Sequence, residues 1–436
     1  SKMEELMKTK IFKVTVERLL LNGGQTLYMV GWSLLVGTII GMILAAGLLC
    51  GCVWSGCNDK ENEEGGAVNY VEKNDVIKSV TKVGSVTGSK SEWNDTVTGA
   101  GVAGTDLGIP VYDSKNQRMM LFFGDTFSEQ IKGEGSGKGN WRSNVCAYSS
   151  DFDLSDGLTL DGWLTQGGRE LARQIIPSMM TDGYEMTTIP TGAVEVNGAL
   201  YVFYMSVRSW GANGEWWVSY CGTVKSTDGG ETFVRVEDLT WTGIKDETTA
   251  QLTDMEPSEV KDRYAPNFCQ IWPMAVGEYV YIYGIEGGRF GGVKLGRVKS
   301  ADFENFSEYE YLTEIANGEP VFVKGEEGLK ALESEENREK SLILQAPAGE
   351  MCVVYNRYLE KYITVYQQTN AMVFRSADNP WGAWSEPVKL VDYSDFNAMY
   401  CGFMHEKYMA DGGKTVYFLM SYWWDYETIL MKMELY

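Results

Sequence analysis

Four times this chain leaves an aromatic, β-rich run through a Ser-x-Asp turn, at Ser149, Ser226, Ser300 and Ser376, at intervals of 77, 74 and 76 residues. A fixed period means that one supersecondary unit is being repeated, and a unit of strand, strand, turn and strand is the mark of a β-propeller. Runs such as MLFFGDTF, ALYVFYMSV, EYVYIYGI, KYITVYQQ and TVYFLMSYWW stand between Gly, Asp and Asn turns, as short strands do. Helix-period stretches are scarce, and the clearest, EEGLKALESEENREK from about Glu326, reads as a charged insertion. Residues 93–436 number 344. At the observed period this makes four to five units, and strands between Gly99 and Phe127, ahead of the first Ser-x-Asp, make it five. The expected fold is therefore all-β: a five-bladed propeller over 93–436, preceded by one N-terminal membrane-entering helix.

One of the four turns is complete. Ser226-Thr227-Asp228-Gly229-Gly230-Glu231-Thr232-Phe233 matches the Asp box, S-x-D-x-G-x-T-F/W. Its Asp and Thr side chains bond backbone groups in the turn while glycine takes the positive φ. The expected role of Ser226, Asp228, Gly230 and Thr232 is structural.

Residues Leu27 to Trp54 carry no charge, a run longer than the ~20 residues that cross a bilayer. Lysines and Arg18 precede it and DKENEE follows it, so residues 1–26 are expected in the cytoplasm and everything after 57 outside. Segment 27–57 reads either as an uncleaved signal anchor or as a lipoprotein signal with Cys57 as the lipidated residue. Residues 58–92, polar and poor in aromatics, read as a flexible tether. The five later cysteines (Cys146, Cys221, Cys269, Cys352, Cys401) are odd in number and set in apolar strand-like text, which fits buried thiols better than a disulfide scaffold.

A formal net charge of −22 repels a polyanion, so nucleic acid is not expected as a partner. The single histidine, His405, excludes a His-rich metal site. No cofactor is called for; a structural calcium or other ion in the channel is the open alternative.

Propeller ligands bind at one mouth of the central channel, so carboxylates at inner-strand ends come first as candidates. Asp106 in GTDLGIP and Asp125 in FFGDTF are the two. Asp125 follows an apolar strand directly, where a charge is costly unless it faces a polar pocket. Glu185 in GYEMTTIP is the candidate third acid, ahead of Asp262. Sugar-binding candidates are Arg263, Asn267, Gln270 and Trp272 in RYAPNFCQIW, with Arg289, Asn356 and His405. Planar polar groups would bond hydroxyls, and aromatic faces would stack on sugar rings.

The series AGTDLGIP, FFGDTF, TTIPTGAV, EYVYIYGIEGGRFGGVKLGRV, FRSADNPWGAWSEP and YCGFMHEKY resembles the family catalogued as domain of unknown function 4185. Part of that family is assigned to glycoside hydrolase family 183, the endo-D-arabinanases. The resemblance implies a five-bladed propeller that cuts α-D-arabinofuranosyl linkages within arabinan chains with inversion. It places the essential carboxylates at Asp106 and Asp125. A monomeric, cell-surface hydrolase with an arabinan-type polysaccharide as partner is the resulting expectation. Two alternatives stand beside it: a non-catalytic propeller that binds glycan or protein, and a sialidase-like enzyme, which needs a cluster of arginines to grip a carboxylate.

Overall fold

The computed structural model describes residues 68–167 and 170–436. Five antiparallel sheets are arranged as blades, and their innermost strands are Leu107–Asp113, Thr187–Val196, Gln270–Val276, Met351–Asn356 and Met399–Ala410. Blade 1 continues outward through Arg118–Phe123, Val145–Ser149 and Gly162–Trp163. Blades 2 to 4 repeat that order. The strands are apolar on both faces because each blade is covered on both sides; RMMLFF of Arg118–Phe123 is buried from its second residue onward. Val80, Phe122, Val202, Tyr283, Val365 and Phe418 share one hydrophobic core that runs through all five blades.

Ser149, Ser226, Ser300 and Ser376 each stand at the end of their blade's third strand. Blade 5 carries no such turn at its third strand, Glu427–Leu435. Its outer strand is Ile77–Ser85, which pairs antiparallel from Ile77 opposite Leu435 to Ser85 opposite Ile429. Four turns thus mark five blades, and the ends of the propeller are tied in one sheet.

That strand corrects the expected tether. Residues 77–85 belong to the domain, with Ile77 and Val80 buried, so the propeller begins ahead of residue 93. The polarity of VTKVGS misled because an edge strand is covered on one face only. The insertion near Glu326 forms two helices, Gly325–Glu333 and Asn337–Lys340, the first burying Leu329 and Leu332. Among the described residues no helix is long and apolar enough to cross a membrane. The 27–57 segment and Cys57 lie outside the described residues.

The Asp box closes on itself. The Ser226 hydroxyl donates to Asp228 Oδ1 at 2.7 Å, and the Thr232 hydroxyl donates to Oδ2 at 2.6 Å. The Thr232 amide donates to Oδ1 at 3.0 Å, while Gly229 and Gly230 take φ of 82° and 83°. Against the cost of partial burial, these donors hold the Asp228 carboxyl at about 2. All five described cysteines are buried and unpaired.

Candidate functional site

Every innermost strand begins at the same mouth of the channel, and each brings a polar group there. Asp106 directly precedes Leu107–Asp113, Thr187 and Gln270 open the next two strands, Glu350 precedes Met351–Asn356, and Tyr400 is second in Met399–Ala410. Asp125 arrives from the second strand of blade 1, whose last residue Phe123 pairs with Leu107. Antiparallel return therefore brings the two aspartates, 19 residues apart in sequence, to one end of one hairpin. A cavity of about 500 Å³ lies over them, lined by Asp106, Asp125, Gln270, Arg289, Glu350 and Tyr400 among others.

Local backbone irregularity aims Asp106. The pairing with the second strand slips between Leu107 and Ile109, a bulge of the kind that redirects a side chain. Leu107 sits at φ 70° and Gly108 at φ 97°. For a leucine that conformation costs roughly 1–3 kcal/mol and persists only where surrounding bonds impose it. The Leu107 amide is held by the Ser421 hydroxyl at 2.8 Å. Cys401, beside Tyr400, and Tyr426 are likewise at positive φ, 49° and 48°. Strain thus gathers around the carboxylates.

The two aspartates have different surroundings. Asp106 Oδ2 accepts from the Tyr400 hydroxyl at 2.7 Å, while its Oδ1 is buried with no partner among the described residues. Burial pushes its carboxyl up to about 7; the Tyr400 bond opposes this, and the charges of Asp125 and Glu350 add to it. Asp125 Oδ1 accepts from Thr187 Oγ1 at 2.6 Å and from Trp141 Nε1 at 2.8 Å. Burial lifts it too, but those two donors restrain it to about 6. Near neutrality the pair can hold one proton on Asp106 and a charge on Asp125, an acid and a base in one cavity. Gly124 is required between them, since a Cβ there would be driven into Asp106 Oδ1.

Arg289 and Glu350 form a two-pronged ion pair, Nε to Oε2 and Nη2 to Oε1 both at 2.8 Å. The guanidinium lies over the Tyr400 ring at 4.5 Å and over Trp216 at 5.1 Å. Arg289 is the one arginine among the described residues lining the cavity, so the arginine cluster of a sialidase is not gathered there.

Of the sequence candidates, Asp106, Asp125, Gln270, Trp272 and Arg289 reach this cavity. Gln270 donates to the carbonyls of Glu286 and Gly288 at 2.8 and 2.9 Å. Trp272 is a floor rather than a platform: it is buried, stacks on Phe403 at 5.7 Å, and its indole N–H donates to Val353 O at 2.9 Å.

Five candidates do not join. Glu185 is buried away from the cavity, accepting from the Met179 amide and the hydroxyls of Ser206 and Tyr220 at 3.0, 2.7 and 3.3 Å; it pins a loop. Arg263 is spent on Glu259 and Asp238. Asn267 lies in the single 3₁₀ turn Pro266–Phe268, outside the lining. Asn356 is wholly buried, donating to Gly413 O at 2.8 Å and accepting from the Leu359 amide at 2.9 Å. His405 lines a separate cavity at the far mouth with Arg357 and Lys407. Burial, with Lys407 beside it, lowers its imidazole to about 4. Among the described residues no group of three or more His, Cys, Asp or Glu gathers as metal ligands would.

Sequence reasoning missed Glu350, Tyr400, Thr187 and Trp141. Glu350 carried a usable signal, since APAGE-MCVVYN repeats the arrangement of GTD-LGIPVY, an acid directly ahead of an apolar inner strand. The other three are ordinary strand and loop residues until the fold assembles them.

The model of the family described as Domain of unknown function (DUF4185) matches residues 91–432. Two fungal proteins are similar over most of their length. Notoamide biosynthesis cluster protein J of Aspergillus sp. (strain MF297-2) is 27% identical over 339 residues, 74% of this chain and 80% of that protein. Notoamide biosynthesis cluster protein J' of Aspergillus versicolor is 26% identical over 340 residues, 74% of this chain and 82% of that protein. Among solved structures, a candidate hydrolase from Bacteroides ovatus ATCC 8483 superposes with a TM-score of 0.51 at 12% identity, covering 87% of this chain and 97% of that one. It shares the fold.

Proposed function

The chain belongs to the DUF4185 family, and from that premise we propose that it is an exported glycoside hydrolase that cuts within arabinan-type chains by inversion. One observation carries the reading: Asp106 and Asp125 share one cavity, with Asp106 held at about 7 and Asp125 at about 6. In the reaction Asp106 gives its proton to the oxygen of the departing sugar as the glycosidic C–O bond breaks. Asp125 takes a proton from a water whose oxygen bonds the anomeric carbon from the opposite face. Two carboxyls of unequal proton affinity suit glycoside hydrolysis by an acid and a base, and the family resemblance supports inversion. The resemblance to glycoside hydrolase family 183 supports D-arabinofuranosyl linkages as the target. The uncharged run at 27–54 supports attachment to the outer face of a membrane.

The test is digestion of D-arabinan by the purified chain, with Asp106→Asn and Asp125→Asn alongside and products read by chromatography. Oligosaccharides from the wild type that vanish in both folded variants are expected. A folded wild type that releases nothing from D-arabinan, L-arabinan or sialoglycans would overturn the hydrolase and favour the non-catalytic propeller.

A further inference from the structure

A continuous line of stacked groups leads out of the cavity. It starts at the Tyr400 hydroxyl on Asp106, crosses the Tyr400 ring to the Arg289 guanidinium at 4.5 Å, and passes to Trp216 at 5.1 Å. Trp216 meets Trp210 edge to face at 5.7 Å. These two tryptophans face each other across the hairpin of Ala199–Trp210 and Trp216–Ser226. Trp216 is buried, whereas Trp210 is 44% exposed and still lines the cavity. Beside them Phe290 is 56% exposed, its ring against Gly214 of the same turn. The Arg289 amide ties that turn down, donating to Gly214 O at 2.9 Å.

An exposed indole costs free energy in water unless something covers it. Trp210 is anchored on Trp216 yet left open on the cavity side, as a stacking surface should be. We propose that Trp210 is a distal subsite that stacks a sugar ring of a neutral polysaccharide several groups away from the bond being cut. The inference rests on the hydrolase reading and adds to it that affinity grows with chain length on the blade 2 side. A net charge of −22 selects an uncharged polymer over an anionic one. Trp217, next along the strand and 51% exposed, is outside the cavity lining. It is an internal control.

The experiment measures binding of short and long D-arabinan oligosaccharides to the Asp106→Asn chain by calorimetry, then adds Trp210→Ala or Trp217→Ala. Wild-type and single-variant hydrolysis of the same sugars is followed in parallel. Trp210→Ala is expected to weaken long-chain binding about tenfold, raising KM for long chains with kcat unchanged and short-chain kinetics unaltered. Trp217→Ala is expected to change neither. Equal long-chain affinity with and without Trp210, from a chain that still hydrolyses D-arabinan, would overturn the subsite and leave the hydrolase standing. No binding and no hydrolysis at any length would overturn both, beginning with the hydrolase.

Discussion

The Tyr400 hydroxyl of blade 5 donates a 2.7 Å hydrogen bond to Oδ2 of Asp106 in blade 1, joining residues 294 positions apart. That bond favours the ionised carboxylate and opposes the burial that raises Asp106 to about 7. The ring behind it rests on Arg289, which is itself clamped by Glu350. Blades 1, 3, 4 and 5 therefore meet at one carboxyl group.

Removing the hydroxyl with Tyr400→Phe takes away a stabiliser of the charged form, so the Asp106 pKa rises. If Asp106 is the proton donor, the alkaline limb of the kcat/KM profile follows it upward by roughly one pH unit, the scale of one charge-assisted bond. A limb that stays in place would assign the proton donation elsewhere.

Gly124→Ala puts a methyl group into Asp106 Oδ1 and against Leu107. Displacing a reacting group by even about 1 Å costs on the order of a hundredfold in rate, whereas overpacking costs about 1–3 kcal/mol of stability. Kinetics and thermal unfolding of the same preparation separate the two. Activity is expected to collapse in a protein that remains folded.

Glu427 supplies the pH dependence of stability. Its carboxyl is buried in blade 5 with Oε2 unpartnered among the described residues, and burial lifts it to about 7, with Lys90 opposing. A carboxyl raised above its unfolded value binds its proton more tightly in the folded state. Stability is therefore lost as pH rises through the folded pKa and is recovered as pH falls toward the unfolded one. Glu427→Gln is expected to raise Tm by a few degrees above about pH 7 and by nothing below about pH 4. Activity should be unchanged, because the side chain is outside the cavity lining.

The closing strand sets the minimum domain. A protein starting at residue 93 lacks Ile77–Ser85 and leaves Glu427–Leu435 as an open edge, a template for aggregation. It is expected to be insoluble or to unfold well below one starting at residue 68. Equal melting curves for the two would show that the strand contributes nothing.

The architecture was legible because the propeller's signal is local. A strand's apolar text and a Ser-x-Asp turn are short-range features, and repetition made four of them countable. Asp106 and Asp125 were legible for a related reason: each abuts an apolar strand, where an unaided charge is expensive. The same logic failed at Glu185, Arg263 and Asn356. Burial of a polar residue has two outcomes, a partner or a site, and these three had partners in Ser206, Asp238 and Gly413.

The sequence by itself determined the repeat, the all-β class and the structural Asp box, and it singled out Asp106 and Asp125 as acids beside apolar strands. It did not carry the strand that closes blade 5, the split of His405 to the far mouth, or the assembly of Tyr400, Glu350 and Thr187 around the carboxylates. Those are relations between residues tens to hundreds of positions apart. Only the ring of blades brings the starts of the innermost strands to one end of the channel, and proton affinity is set by what lies within a few ångströms in space.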